Sequence, residues 1–176
     1  MSFILNILFG KKADAEELEA LRPYLKSELA LAGKQTRASE TFNSAVAELG
    51  MRVLSGEADG PTRIQMDEAA TTYEATMLRV QQLHEHGAIH APEAAAEFYT
   101  AQHLVYGDHL AWARAQQVLY QSQAAPAAVE TLADADERLH ADKRQADKLR
   151  AKLVGYMGMS RHDLTEMMRE AGAFDA

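Results

Sequence analysis

Three histidines near the end of a predicted helix are the residues whose type and spacing best suit metal chemistry. His84, His86 and His90 lie close together with Glu85 among them, and neutral imidazole is a common ligand of zinc and copper. Two residues along an α-helix turn the side chains about 160° apart, so His84 and His86 can share an ion only where the helix has unwound. A surface cluster without a ligand is therefore the favoured interpretation, and His84, His86 and His90 are the candidate metal ligands of the alternative.

A second pattern that could bind metal is the tetrapeptide that begins with Glu137 and ends with His140. Ferritin-like bundles hold two metal ions with a Glu from each of two helices and a Glu-x-x-His pattern from each of the other two. Here the pattern occurs once, and Leu139 is expected to face the core, which turns Glu137 away from it. Ferritin-like or other metal binding is therefore the alternative function, and no cofactor is predicted.

Asp108 is a carboxylate inside an otherwise apolar stripe of a long predicted helix. Burial of a carboxylate is costly unless a hydrogen bond or an ion pair compensates it. Short turns between the predicted helices place Asn43, Tyr73 and Lys143 at the height of Asp108. The sequence therefore predicts a polar core layer of Asn43, Tyr73, Asp108 and Lys143, with Lys143 as the cationic partner.

The helix predicted from Pro92 to Gln123 carries apolar residues on two sides. One side includes Phe98 and Trp112, and a second band lies roughly opposite. A helix with so little polar surface must be covered by its own bundle and by a further partner. The sequence therefore predicts a homo-oligomer, or a complex with another protein. The candidate contact residues on the second band lie either in that interface or under residues 1–12, and they are Tyr99, Tyr106 and Leu110.

Residues 1–12 form an apolar segment that ends in a glycine and two lysines. The lysines follow the apolar residues and no small-residue cleavage site appears, so the segment does not resemble a secretory signal. Three interpretations remain open: the segment packs on the bundle, contacts another subunit, or anchors the chain at a membrane surface through its lysines. Its candidate contact residues are Phe3, Ile4, Leu8 and Phe9.

Composition and charge exclude several classes of protein. The net charge of −8 argues against nucleic-acid binding, because Lys and Arg supply most of the affinity for phosphates. The absence of cysteine removes disulfides and thiolate chemistry, and it fits a cytoplasmic location. Helix-forming residues dominate, and no alternating run flanked by turn signals predicts a strand.

The expected fold is all-α, an up-down-up-down antiparallel four-helix bundle over residues 13–158. The apolar segment 1–12, which could include a short helix, precedes the bundle, and a short capping helix over 159–176 follows it. Pro23 is expected to shorten or kink the first helix, because proline lacks an amide hydrogen. Gly87 is expected to end the second helix.

No pattern in the chain favours an enzyme. There is no glycine-rich phosphate loop, no Ser-His-Asp series and no paired-carboxylate motif, so a non-enzymatic role is the favoured interpretation. The sequence therefore predicts a helical-bundle protein that acts through protein-protein interaction or self-assembly, with peripheral attachment to a membrane surface as a further option.

Overall fold

The computed structural model describes residues 12–170, except for the side chains of five residues (53, 54, 161, 164 and 168). Most of this part is helical, and short turns connect the helices. The described residues contain no strand, so the predicted all-α class is confirmed. The contact residues expected between Phe3 and Phe9 lie outside the described part. The helices are α1 (Ala15–Ser55), α2 (Gly60–His90), α3 (Glu93–Gln121), α4 (Pro126–Met157) and α5 (Arg161–Glu170).

Each long helix packs mainly against its neighbour in sequence: α1 against α2, α2 against α3, and α3 against α4. The beginning of α1 also reaches the end of α4, where the Ala13 amide donates to the Tyr156 carbonyl oxygen at 2.8 Å. The short helix α5 lies against α1, and Lys26 forms an ion pair with Glu170 at 2.7 Å. The helices therefore bury one another's apolar faces.

The core has two main parts that share α1 and α3. In one, Phe42, Met77 and Val80 pack with Tyr106 between α1, α2 and α3. In the other, the start of α1 meets the start of α3 and the end of α4, with these buried residues: Leu21, Ala95, Phe98, Tyr99, Leu153 and Met157. Both parts exclude water from the same long face of α3.

Gly87 does not end α2, contrary to the sequence-based expectation, because the helix continues to His90. Gly87 is buried, and a Cβ atom at this position would lie 2.7 Å from Cγ of Tyr99. The glycine therefore serves close packing between α2 and the ring of Tyr99, and the turn to α3 follows at Ala91. Pro23 lies inside α1, and the helix continues past it. Of the two expected outcomes, a shortened helix or a long helix that contains the proline, the structure has the long helix.

The turn between α3 and α4 places two non-glycine residues in left-handed conformations, Gln123 at φ 52° and Ala124 at φ 59°. This conformation crowds Cβ against the backbone, and glycine adopts it without that cost. We expect Ala124→Gly to raise the free energy of unfolding by about 1 kcal/mol, measured by urea denaturation. Ala133→Gly, at an exposed position inside α4, should lower it by about 1 kcal/mol. Equal effects of the two substitutions would contradict the turn conformation.

Candidate functional site

The three candidate metal ligands lie on different sides of α2. His84 is fully buried, whereas His86 and His90 are exposed and their ring centroids are 4.5 Å apart. Over residues 12–170, no group of three or more His, Asp or Glu side chains is arranged to hold a metal ion. The structure thus brings His86 and His90 together and separates His84 from them.

His84 stacks among aromatic rings between α1, α2 and α3. Its ring centroid is 5.0 Å from that of Tyr106 and 5.7 Å from that of Tyr99. Neither ring nitrogen has a hydrogen-bond partner, and the nearest carboxylate oxygen, Oε1 of Glu28, is 4.0 Å from Nε2. Burial lowers the pKa of His84 to about 4, so the imidazole is neutral at neutral pH.

Other polar groups near His84 are also held in apolar surroundings. The Tyr99 hydroxyl is buried without a hydrogen-bond partner, and burial, with the charge of Glu28, raises its pKa. Burial raises the pKa of the Glu28 carboxyl, while the positive charge of Arg150 opposes that rise. This cluster can change its protonation with pH. Buried polar groups without partners reduce stability.

Of the four residues of the predicted polar layer, Tyr73 and Asp108 contact polar residues other than those expected. The Tyr73 hydroxyl lies 2.7 Å from Nδ1 of His109, and burial lowers the pKa of His109 to about 4. Because burial also raises the pKa of Tyr73, the hydroxyl stays protonated, and this hydrogen bond joins two neutral groups. The side chains of Asn43 and Lys143 are exposed. His109 is therefore the partner of Tyr73 that sequence reasoning missed.

Asp108 is half-buried and faces another carboxyl group across α3 and α4. Burial raises its pKa, and contact with the Asp142 carboxyl raises it further. Its Oδ2 atom is buried and has no hydrogen-bond partner. In place of the expected Lys143, the positive charge that acts on Asp108 is that of Arg138. Asp108 thus lies in a contact between two acidic side chains, and this contact opposes ionisation of its carboxyl group.

The three residues of α3 that were expected to contact a partner are buried inside the chain itself. Tyr99, Tyr106 and Leu110 are 0%, 7% and 8% exposed. Tyr99 packs against Leu21 of α1 and the Gly87 backbone, while Tyr106 and Leu110 belong to the core between α1, α2 and α3. These side chains cover the core, so a contact surface must be sought elsewhere.

Exposed aliphatic side chains are concentrated on the outward sides of α2 and α3. Among the described residues, seven large hydrophobic side chains are exposed. Two of them, Met51 of α1 and Val129 of α4, lie outside α2 and α3. We call the surface formed by the remaining five the outer face, and its residues are Ile64, Leu78 and Ile89 of α2 and Leu104 and Val118 of α3.

The outer face follows the helical repeat on both helices. On α2, exposed residues recur at spacings of four and three on the side opposite the buried Met66, Met77 and His84. On α3, Leu104, Ala111 and Val118 are seven residues apart, which aligns them along one side. Sequence reasoning assigned the outside of α3 to its aromatic band. The regular spacing of these aliphatic residues was the signal that could have located the outer face. The outward stripe of α2 reads Ile64, Glu68, Thr71, Ala75, Leu78, Gln82, Glu85 and Ile89.

A groove between α2 and α3 lies beside the outer face. Thr71, Ala75 and Leu78 line it from α2, and Leu110 and Arg114 line it from α3. Across the groove, Arg114 Nε forms an ion pair at 3.7 Å with Oε1 of a glutamate of α2, Glu74. The surface thus combines separate aliphatic side chains with polar ones, and a charged pair lies in the groove.

Comparison with known proteins gives no relative from which a function could be transferred. No protein-family model, no curated protein and no solved structure matches the chain. Within the described residues, none of the helices is both long enough and apolar enough to span a lipid bilayer. The function is therefore argued from the geometry of this chain.

Proposed function

We propose that this protein is a non-enzymatic helical-bundle protein that acts by self-association, with the outer face as the contact between two copies. The observation that carries the proposal is the concentration of five of seven exposed large hydrophobic side chains on two adjacent helices. Single exposed aliphatic residues are normal, whereas an apolar surface that runs along two helices is typical of an interaction site.

The aliphatic residues of the outer face suit contact with another helical surface. Residues at spacings of four and three on one helix form ridges that pack into the grooves of a second helix. Charged side chains flank the apolar stripe, as expected for the polar rim of an interface. As part of the same proposal, the four long helices alternate in direction within each copy, as short connections favour, and the protein acts in the cytoplasm.

Substitution of a central residue of the outer face tests this function. We expect Leu78→Lys to raise the dissociation constant of the self-associated form at least about tenfold, because a charge replaces an apolar contact at the centre of the surface. Sedimentation velocity over a series of protein concentrations measures the change. The matched control is Val129→Lys, because Val129 of α4 is 48% exposed and Leu78 is 46% exposed.

The two variants separate the contact from general effects of an added charge. Both carry the same added lysine at exposed helical positions. At a concentration where all three proteins are monomeric, circular dichroism should therefore give them the melting temperature of the unaltered protein. Association that is equally strong in the unaltered protein, Leu78→Lys and Val129→Lys would remove the outer face from the proposal.

A further inference from the structure

We propose that residues 1–11 bind to their own chain, in a groove between α1, the end of α4 and α5. We call this surface the end groove. It lies on other helices than the outer face, so this inference goes beyond the proposed function and does not depend on it. The inference chooses one of the three interpretations that the sequence leaves open for the N-terminal segment.

The end groove has an adaptable apolar lining and a volume of about 370 Å³. Leu18 and Leu25 line it from α1, Met157 from the end of α4, Met159 from the turn that follows, and Met167 from α5. Methionine side chains are unbranched and flexible, so they fit apolar groups of different shapes. The lining thus suits a short run of aliphatic and aromatic side chains.

The described part of the chain begins at the edge of the end groove. A Cβ atom on Gly158, which lines the groove, would lie 3.0 Å from Cδ of Lys12. The next residue is fixed at the same place, because the Ala13 amide donates to the Tyr156 carbonyl oxygen at 2.8 Å. The covalent bond to Lys12 therefore attaches residues 1–11 directly beside the groove.

The N-terminal segment is long enough to follow the end groove. The ten residues of α5 are about 15 Å long at 1.5 Å per residue. Eleven residues span about 16 Å as a helix and about 36 Å when fully extended. Either conformation reaches along the whole of α5 from the attachment at Lys12.

Composition and attachment together favour this segment over a separate partner as the occupant. Between residues 3 and 9, Asn6 is the one polar residue, and transfer of the apolar side chains from water into an apolar groove is favourable. A short covalent connection gives the segment an effective concentration in the millimolar range. A separate protein would have to compete with that concentration.

The charges at the rim of the end groove are compatible with this occupant. Asp163, Glu166 and Glu170 line it together with one cation, Arg22. Residues 1–11 contain Lys11 and no acidic residue. Two of the three carboxylates also form ion pairs with basic residues of α1 and α5, so the apolar contacts contribute most of the binding.

Protection of an introduced thiol tests whether the segment covers the groove, because the chain has no cysteine of its own. In the full chain, we expect the Met159→Cys thiol to react with iodoacetamide at least about tenfold more slowly than when Ile4→Asp and Leu8→Asp are also present. The added carboxylates by themselves disfavour the reactive thiolate, so their charge cannot cause the faster reaction.

The matched control is Ala151→Cys, at an exposed position of α4 outside the lining of the end groove. Its thiol should react at the same rate with the unaltered segment and with Ile4→Asp and Leu8→Asp. Circular dichroism should show the same helix content in all four proteins. Equal rates for the Met159→Cys thiol with both forms of the segment would overturn the proposal.

A disulfide then shows whether the segment binds its own chain. Four extended residues span about 14 Å, so residue 8 can reach Met159, which directly follows Gly158. Mild oxidation of the variant with Leu8→Cys and Met159→Cys should give a crosslinked monomer on a non-reducing gel. It should form at least about tenfold faster than the crosslinked monomer of Leu8→Cys with Ala151→Cys.

Three other outcomes would overturn the proposal. Crosslinked dimers in place of crosslinked monomers would place the segment on a second copy. Equal rates for the two cysteine pairs would show a segment without a preferred site. Flotation of the full chain with vesicles of anionic phospholipid, with an unprotected Met159→Cys thiol in their absence, would assign the segment to a membrane surface. None of these outcomes bears on Leu78→Lys, so the proposed function is tested separately.

Discussion

Gly87→Ala is expected to lower the free energy of unfolding by about 3 kcal/mol, because the added methyl group overlaps the ring of Tyr99. A Cβ atom at residue 87 would lie 2.7 Å from Cγ and 2.8 Å from Cδ1 of that ring. The ring cannot move aside cheaply, because it is fully buried and packs against Leu21 and Phe98. Urea denaturation followed by circular dichroism measures the loss.

Gly155→Ala is the matched control for Gly87→Ala. Gly155 is an exposed residue of α4, and a Cβ atom there would have no atom within 4 Å. The control should raise the free energy of unfolding by about 1 kcal/mol, since alanine is the better helix former. Adding Tyr99→Leu to Gly87→Ala should recover part of the loss, because the two residues are in contact. A neutral Gly87→Ala would contradict the packing of α2 on α3.

Acidification is expected to destabilise the protein by about 3 kcal/mol through His84 alone. The pKa of His84 is about 4 in the folded protein and 6.5 for an unperturbed histidine. The unfolded chain therefore takes up the proton first. The stability present above pH 6.5 is lost as the pH falls from about 6.5 to about 4. Unfolding by urea at several pH values measures this loss.

His84→Phe should remove that contribution, because phenylalanine keeps the stacking with Tyr99 and Tyr106 and cannot take up a proton. It should also be at least as stable at neutral pH, since two buried nitrogens without partners disappear. Besides the hydroxyl-bearing rings of Tyr99 and Tyr106, three charged or titratable groups act on His84: Glu28 of α1, His103 of α3 and Arg150 of α4.

Glu28 acts in the opposite direction to His84. Its pKa is raised on folding, so its contribution to stability is present at low pH and is lost as the pH rises through the folded pKa. Glu28→Gln should therefore steepen the acid-induced loss. For the His84→Phe variant, a loss of unfolding free energy on acidification as large as that of the unaltered protein would show that His84 does not titrate as described.

The sequence predicts the positions of residues along the helices better than the sides that they face. Short turns set the height of each residue along a helix, and Asp108 lies beside Asp142, one residue before the predicted partner Lys143. Rotation about the helix axis is set by packing, which loop length does not report. At the first helix, Phe42 takes the inward position and stacks on Tyr73 with ring centroids 4.7 Å apart, so Asn43 faces outward.

The same limit explains the residues expected at a partner contact. A band of apolar residues can face the core or another subunit, because both exclude water. Tyr99 and Tyr106 proved to be core residues, and their burial depends on α1, whose long course past Pro23 the local pattern left open. The prediction that Gly87 ends α2 was wrong for a related reason. Glycine ends helices and also permits close packing, and only the position of Tyr99 decides between the two.

Sedimentation equilibrium of the full chain over a wide range of concentrations tests the central claim, self-association through the outer face, most directly. The chain has a mass of 19.4 kDa. The expected result is an average mass that rises with concentration toward twice that value, and a smaller rise for Leu78→Lys than for Val129→Lys. A mass of 19.4 kDa at every concentration would contradict self-association.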